Sequence, residues 1–142
     1  MIPAKSSNYD LPDSYDNIEQ TLITADQILS DAVENAKTLF HSPTVSSFEH
    51  SKIVSRVMVL REFNLKERFM RFHTDYRDPK IKQYKKNSTA TVLVYDPILK
   101  VQINCKGKLN LIIITLLRET LGMDQQLGLK SVIQFGEAPL LR

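Results

Sequence analysis

The sequence predicts an α+β protein built on an antiparallel sheet or small barrel, and three observations carry that prediction. Apolar residues recur every three or four positions as far as Phe40. After Pro43 they fall instead into short β-branched runs. Between those runs sits one short lysine-rich segment with the start signals of a helix. Hydrophobic residues make up 42% of the 142 and charged residues 25%, which excludes a disordered or fibrous chain and fits one globular domain.

The elements follow in order. Residues 1–13 are polar and proline-containing, a loose lead-in. From Ser14 to about Phe40 the apolar positions Ile18, Leu22, Ala25, Leu29, Ala32, Val33, Ala36, Leu39 and Phe40 predict an amphipathic helix with an acidic outer face. Asp13 or Ser14 is its candidate N-cap, and His41-Ser42-Pro43 stops it. Val45–Phe48 predicts a short strand, Ile53–Phe63 a long one containing Arg56 and Arg61, and Arg68–Thr74 a third. In that third strand Phe69, Arg71 and His73 alternate with Met70, Phe72 and Thr74. Asp78-Pro79-Lys80 opens a basic helix that reaches Asn87, with proline near its first turn and Asp78 as a cap. Thr89–Tyr95 and Lys100–Lys106 complete the strands across the turn Asp96–Leu99. The domain spans 14–110, and 111–142 forms a tail that completes or replaces the last elements.

Composition narrows the function classes. No window holds 18 consecutive apolar residues, which excludes a transmembrane helix, and the N-terminus lacks the apolar core of a secretory signal, so a cytoplasmic protein is expected. The single cysteine, Cys105, excludes a disulfide framework and reads as a small core residue. His41, His50 and His73 lack metal-ligand spacing, so no metal is expected. Four glycines make no phosphate-cradling loop. The net charge of +3 conceals a division: residues 1–51 carry −6, residues 52–110 carry +9, and the remainder is neutral. A basic middle section suits an anionic partner, or simply solvates the surface.

Within that section several groups suit a phosphate. Arg56 and Arg61 are five apart, on opposite faces of an ideal strand, and reach one anion only at a barrel rim or a bulge. Thr74 ends the next strand and Lys80 opens the following helix, so a hydroxyl, a helix start and cationic side chains converge. Gln102 offers an amide donor and acceptor to the edge of a heterocycle.

These residues resemble a known pattern. Arg56-Val57-Met58-Val59-Leu60-Arg61 looks like the R-x-V-x-L-K/R strand of the pyridoxamine 5′-phosphate oxidase-like, FMN-binding split-barrel family. His73-Thr74-Asp75-Tyr76-Arg77-Asp78-Pro79-Lys80 is similar to its F-x-T-D-x-R-S-x-K segment. Asn87 with Ala90–Asp96, and Val101-Gln102-Ile103 with Gly107, resemble its next two strands. The match is collinear from about Ser46 to Lys108.

The resemblance implies a split barrel that binds FMN as cofactor at the interface of a homodimer. Arg56 and Lys80 would hold the FMN phosphate. The backbone of Val57, Met58, Val59 and Leu60, with Arg61, would line the flavin. His73 and Thr74 would flank the ring and ribityl chain, and Gln102 would contact the isoalloxazine. The implied activity is that of a flavin-dependent oxidoreductase, with substrates in this fold ranging from pyridoxamine or pyridoxine 5′-phosphate to other reductants and, in some relatives, haem. Catalytic residues are not assigned. Asp78 departs from the family's serine: it repels a phosphate or turns away as a cap. Tyr76, Arg77 and Lys82 read as solvated helix-face residues.

Beyond Lys108 the family's tryptophan-bearing helix and closing segment have no counterpart, since the chain has no tryptophan. A shift of reading frame near Leu111 accounts for this, and would leave an unpaired sheet edge beside the apolar run Leu111–Leu117. The alternative is a divergent last strand. Activity is therefore open between an intact and an impaired oxidoreductase. Two other functions remain: a basic barrel that binds nucleic acid through Phe63, Phe69, Phe72, Tyr76, Tyr84 and Tyr95, and a cofactor-free remnant of the family.

Overall fold

The computed structural model describes residues 11, 14, 16–75, 77–113 and 130–136. Helix α1 runs from Ile18 to Glu34. Its N-cap is Asn17 rather than Asp13 or Ser14, because the Asn17 side chain accepts the N–H groups of Glu19 and Gln20 at 2.9 and 3.2 Å. The helix also ends earlier than the periodicity suggests. The Asn35 side-chain Oδ1 accepts the Lys37 N–H at 3.1 Å, which ends the helix at Glu34. A 3-10 turn at Leu39–His41 then carries the fully buried Phe40 back onto the core. Ile28, Leu29 and Ala32 form the buried stripe, whereas Ile18 and Leu22 project beyond it, 86% and 50% exposed.

Among the described residues seven strands follow: β1 (Thr44–Glu49), β2 (Lys52–Val57), β3 (Leu60–Asn64), β4 (Phe69–Asp75), β5 (Thr89–Asp96), β6 (Val101–Ile113) and β7 (Lys130–Gly136). Helix α2 (Lys80–Lys86) lies between β4 and β5. They form one sheet in the order β2-β1-β5-β6-β7-β4-β3, antiparallel at every pairing. The long strand expected at 53–63 is therefore two strands, broken at Met58-Val59. Every residue there favours extended backbone, so nothing local marks the break.

That break shapes the sheet. β2 and β3 are its two opposite edges, yet only two residues join them. Three Cα steps from Val57 to Leu60 span at most about 11 Å, whereas the edges of a flat seven-stranded sheet lie roughly 29 Å apart. The sheet must roll until its edges meet at this corner without pairing, which is a split barrel. Arg61 is the extra residue of a bulge there, since Leu60 faces Phe72 but Glu62 already faces Arg71.

Inside the roll, Leu60, Phe72, Val45 and Ile133 pack with Ile28 and Phe40, each at most 1% exposed. The edge expected beside Leu111 is not open. β6 continues to Ile113 and pairs with β7 from Lys108 to Ile113, while β7 pairs β4 on its other side. Ile133 and Phe135 supply the apolar face that makes this pairing worthwhile. Gly107 lies where Phe135 crosses: a Cβ would meet the Gly136 carbonyl oxygen at 2.9 Å and the Phe135 ring at 3.0 Å. The rest of the apolar run, 114–117, lies outside the described residues.

Candidate functional site

Alternation along β2 and β4 sends neighbouring residues to opposite faces. Arg56 pairs with the buried Val45 and so shares the inner face, at the split. Its Nη2 donates to Gln83 Oε1 of α2 at 2.9 Å. Its Nη1 is buried without a hydrogen-bond partner among the described residues, and so is Thr74 Oγ1 on β4. Thr74 is 8% exposed. Ser47 Oγ and Arg71 Nε are likewise buried without a partner among the described residues. Buried donors are normally satisfied, so Arg56 Nη1 and Thr74 Oγ1 are groups that an anionic ligand would complete.

Asp78 lies just before α2 and Lys80 is its first residue, and the Arg56 charge reaches the Asp78 carboxylate. Asp78 Oδ1 accepts the Lys80 N–H and Oδ2 meets Lys80 Nζ, both at 3.0 Å, so the carboxylate turns onto the helix start, one residue before the N-cap Pro79, and pairs with the lysine. Burial pushes the Asp78 carboxyl up. The two Lys80 hydrogen bonds and the Lys80 and Arg56 charges outweigh that and hold it below its usual value. Tyr84, almost fully buried, reaches Met58 Sδ with its hydroxyl at 4.0 Å. Burial raises its phenol against the lowering influence of the Arg56 charge.

Arg61 and His73 lie elsewhere. With Glu62, Arg71, Ile112 and Val132 they line an open cavity of about 410 Å³ on the outer face of the sheet. Arg71 organises it, pairing with Glu62 at 2.7 Å, reaching Gln134 at 3.5 Å and lying 4.6 Å over the Phe69 ring. Sequence reasoning assigned no role to Glu62, Arg71, Gln83 or Gln134. The position of Arg71 on the same strand face as His73 was the available signal for one of them, and the other three depend on tertiary pairing.

Of the Val57–Leu60 segment, Val57 is 69% exposed, whereas Met58 and Leu60 are core. The Met58 N–H is already bonded to the Pro43 carbonyl at 3.0 Å, so it has no donor left for a ligand. Gln102 is not brought to the other residues. It lies ten positions along β6 from Ile112, about 33 Å at 3.3 Å per residue, on the exposed face beside Tyr95. Arg77 is 80% exposed and paired with Asp75 at 3.0 Å, Lys82 is exposed, and Tyr76 lies outside the described residues. Cys105 is half-buried and burial raises its thiol, which suits a packing role.

The described aromatic residues of the basic section do not line up as a stacking platform. Phe69, Phe72 and Tyr84 are buried, Phe63 lies under the Arg68 guanidinium at 5.8 Å, and Tyr95 is exposed. Among the described residues no cluster of three or more metal-ligating side chains occurs, and no helix is long and apolar enough to cross a membrane.

Solved structures share this architecture. A pyridoxamine 5′-phosphate oxidase-related, FMN-binding protein from Nostoc punctiforme superposes with a TM-score of 0.60 at 13% identity, covering 87% of this chain and 83% of that one. A protein related to general stress protein 26, of the pyridoxinephosphate oxidase family, from Clostridium acetobutylicum gives 0.62 at 15% identity over 84% of each chain. General stress protein 26 from Bacillus anthracis gives 0.57 at 13% identity over 79% and 88%. Such identities establish the fold alone. Among curated proteins no match is found. The family model for the FMN-binding domain of pyridoxamine 5′-phosphate oxidase matches residues 23–113, from within α1 to the end of β6. This chain belongs to the pyridoxamine 5′-phosphate oxidase FMN-binding domain family.

Proposed function

We propose that the chain binds FMN and serves as an FMN-dependent oxidoreductase of the pyridoxamine-phosphate oxidase type. The observation that carries this is the pair of buried, unpartnered donors, Arg56 Nη1 and Thr74 Oγ1, at two of the positions the family resemblance assigns to the cofactor. A phosphate brings acceptors to both. Arg56, already steadied by Gln83, would hold the phosphate oxygens, with Lys80 adding charge and Thr74 a hydroxyl. Arg61 and His73, in the cavity on the other side of the β2–β3 corner, would border the ring. Bound FMN supplies the redox chemistry, and this chain's residues hold and orient it.

A homodimer belongs to the same proposal. Ile53, Val57, Leu93 and Tyr95 lie on the outward face of β2-β1-β5-β6 and are 72%, 69%, 38% and 52% exposed. Gln102 sits on that face, too far along β6 to meet a ring near its own Arg61 and His73. A second copy docked on this face is the way Gln102 would reach a flavin.

The test is an absorbance spectrum of the purified protein with and without added FMN. Retained flavin bands, lost in Arg56→Ala and Lys80→Ala variants of unchanged fold, are expected. Absence of bound flavin at high added FMN would leave a cofactor-free member of the family.

A further inference from the structure

We infer that Asp78 is a built-in counter-ion of the phosphate-binding cluster, a carboxylate that a ligand phosphate must displace from Lys80. Asp78 thereby sets how strongly the site prefers a phosphorylated flavin over an unphosphorylated one. This rests on the FMN reading above and deepens it.

The carboxylate is pinned on both oxygens by one residue, Oδ1 by the Lys80 N–H and Oδ2 by Lys80 Nζ, each at 3.0 Å. Lys80 is largely withdrawn from water, its side chain 15% exposed, and Asp78 only partly so, at 35%. Arg56 also acts on this carboxylate. The cluster thus holds two cations and one fixed anion, a net charge of +1, while a flavin phosphate brings close to two negative charges. Arg56 Nη1 and Thr74 Oγ1 stay unpartnered among the described residues, so the internal carboxylate occupies the lysine without satisfying them. A phosphate that bonds Arg56 and Thr74 must either take Lys80 from Asp78 or lie against a like charge. At such separations that repulsion is worth about tenfold or more in affinity.

The contrary role is that Asp78 orients Lys80 for the ligand, since an ammonium has three N–H donors and can serve both. The two roles differ in sign. A counter-ion weakens phosphate binding, whereas an orienting partner strengthens it.

The experiment titrates the full chain with FMN and with riboflavin, following flavin fluorescence, for wild type, Asp78→Asn and Asp78→Ser. Both substitutions keep a side-chain acceptor for the Lys80 N–H, and a thermal melt checks that the fold is retained. The expected result is FMN binding tightened about tenfold or more in both variants, with riboflavin changed by less than about twofold. FMN binding that is unchanged or weaker in both variants overturns the counter-ion role while leaving the FMN reading intact. No FMN uptake by wild type or either variant overturns the FMN reading and this inference with it.

Discussion

At the scale of single residues, the candidate site combines paired groups, Arg56 with Gln83 and Lys80 with Asp78, with buried atoms that have no partner among the described residues. Thr74 makes the point measurable. Its buried hydroxyl lacks a partner among the described residues, and leaving such a group unsatisfied costs about 1–3 kcal/mol. Thr74→Val keeps the shape and removes the hydroxyl. Chemical denaturation without ligand should show the variant more stable by about 1 kcal/mol, while flavin titration should show weaker FMN binding. A variant that is less stable and binds FMN unchanged would mean the hydroxyl serves the fold. Arg56, Thr74 and Lys80 were legible because each is a chemically distinctive residue in a recognisable local pattern. Their partners were not. Gln83 meets Arg56 across 27 positions of sequence, and the Asp78 carboxylate had two readings that only the Lys80 geometry separates.

At the scale of elements, local periodicity was a good guide to what forms and a poor one to where it breaks. α1, α2 and the strand runs all occur near their expected positions. The run 53–63 divides at Met58-Val59 because a rolled sheet needs a corner there, and propensity is silent about that. The bulge at Arg61 follows from the same corner and carries Arg61 to the outer cavity while Arg56 faces inward. The N-cap was missed for a different reason: Ser14, Asp16 and Asn17 are all capping residue types, and only the two bonds to Asn17 choose among them. Gly107 shows an element held by close approach. With backbone at 2.9 Å and the Phe135 ring at 3.0 Å from its missing Cβ, Gly107→Ala should cost about 1–3 kcal/mol by denaturant unfolding, with little change in helix content by circular dichroism. A neutral result would mean that β7 shifts freely on β6.

At the scale of the whole molecule, seven strands roll until the two edge strands meet, and the meeting point carries both arginines of the family-like strand. The fold class was legible from the sequence, since the order of elements leads to an antiparallel sheet or small barrel and the family-like strand motifs narrow it to a split barrel. The contribution of 130–136 was not legible, because that stretch carries no motif and its value lies in filling the gap between β6 and β4. The exposed apolar face of β2-β1-β5-β6 leads to a prediction at this scale. Sedimentation should show a dimer, and Leu93→Lys, which puts a charge at its centre, should give monomers that also lose FMN. A monomeric wild type that binds FMN would remove the need for a second copy. The phosphate cluster is tested most directly by an FMN titration of the wild type against Arg56→Ala by fluorescence quenching. Saturable binding at one FMN per chain is expected, weakened by about a hundredfold in the variant, the scale of a lost charge-assisted pair. Equal binding by both proteins would contradict this, because FMN would then be held without the buried guanidinium.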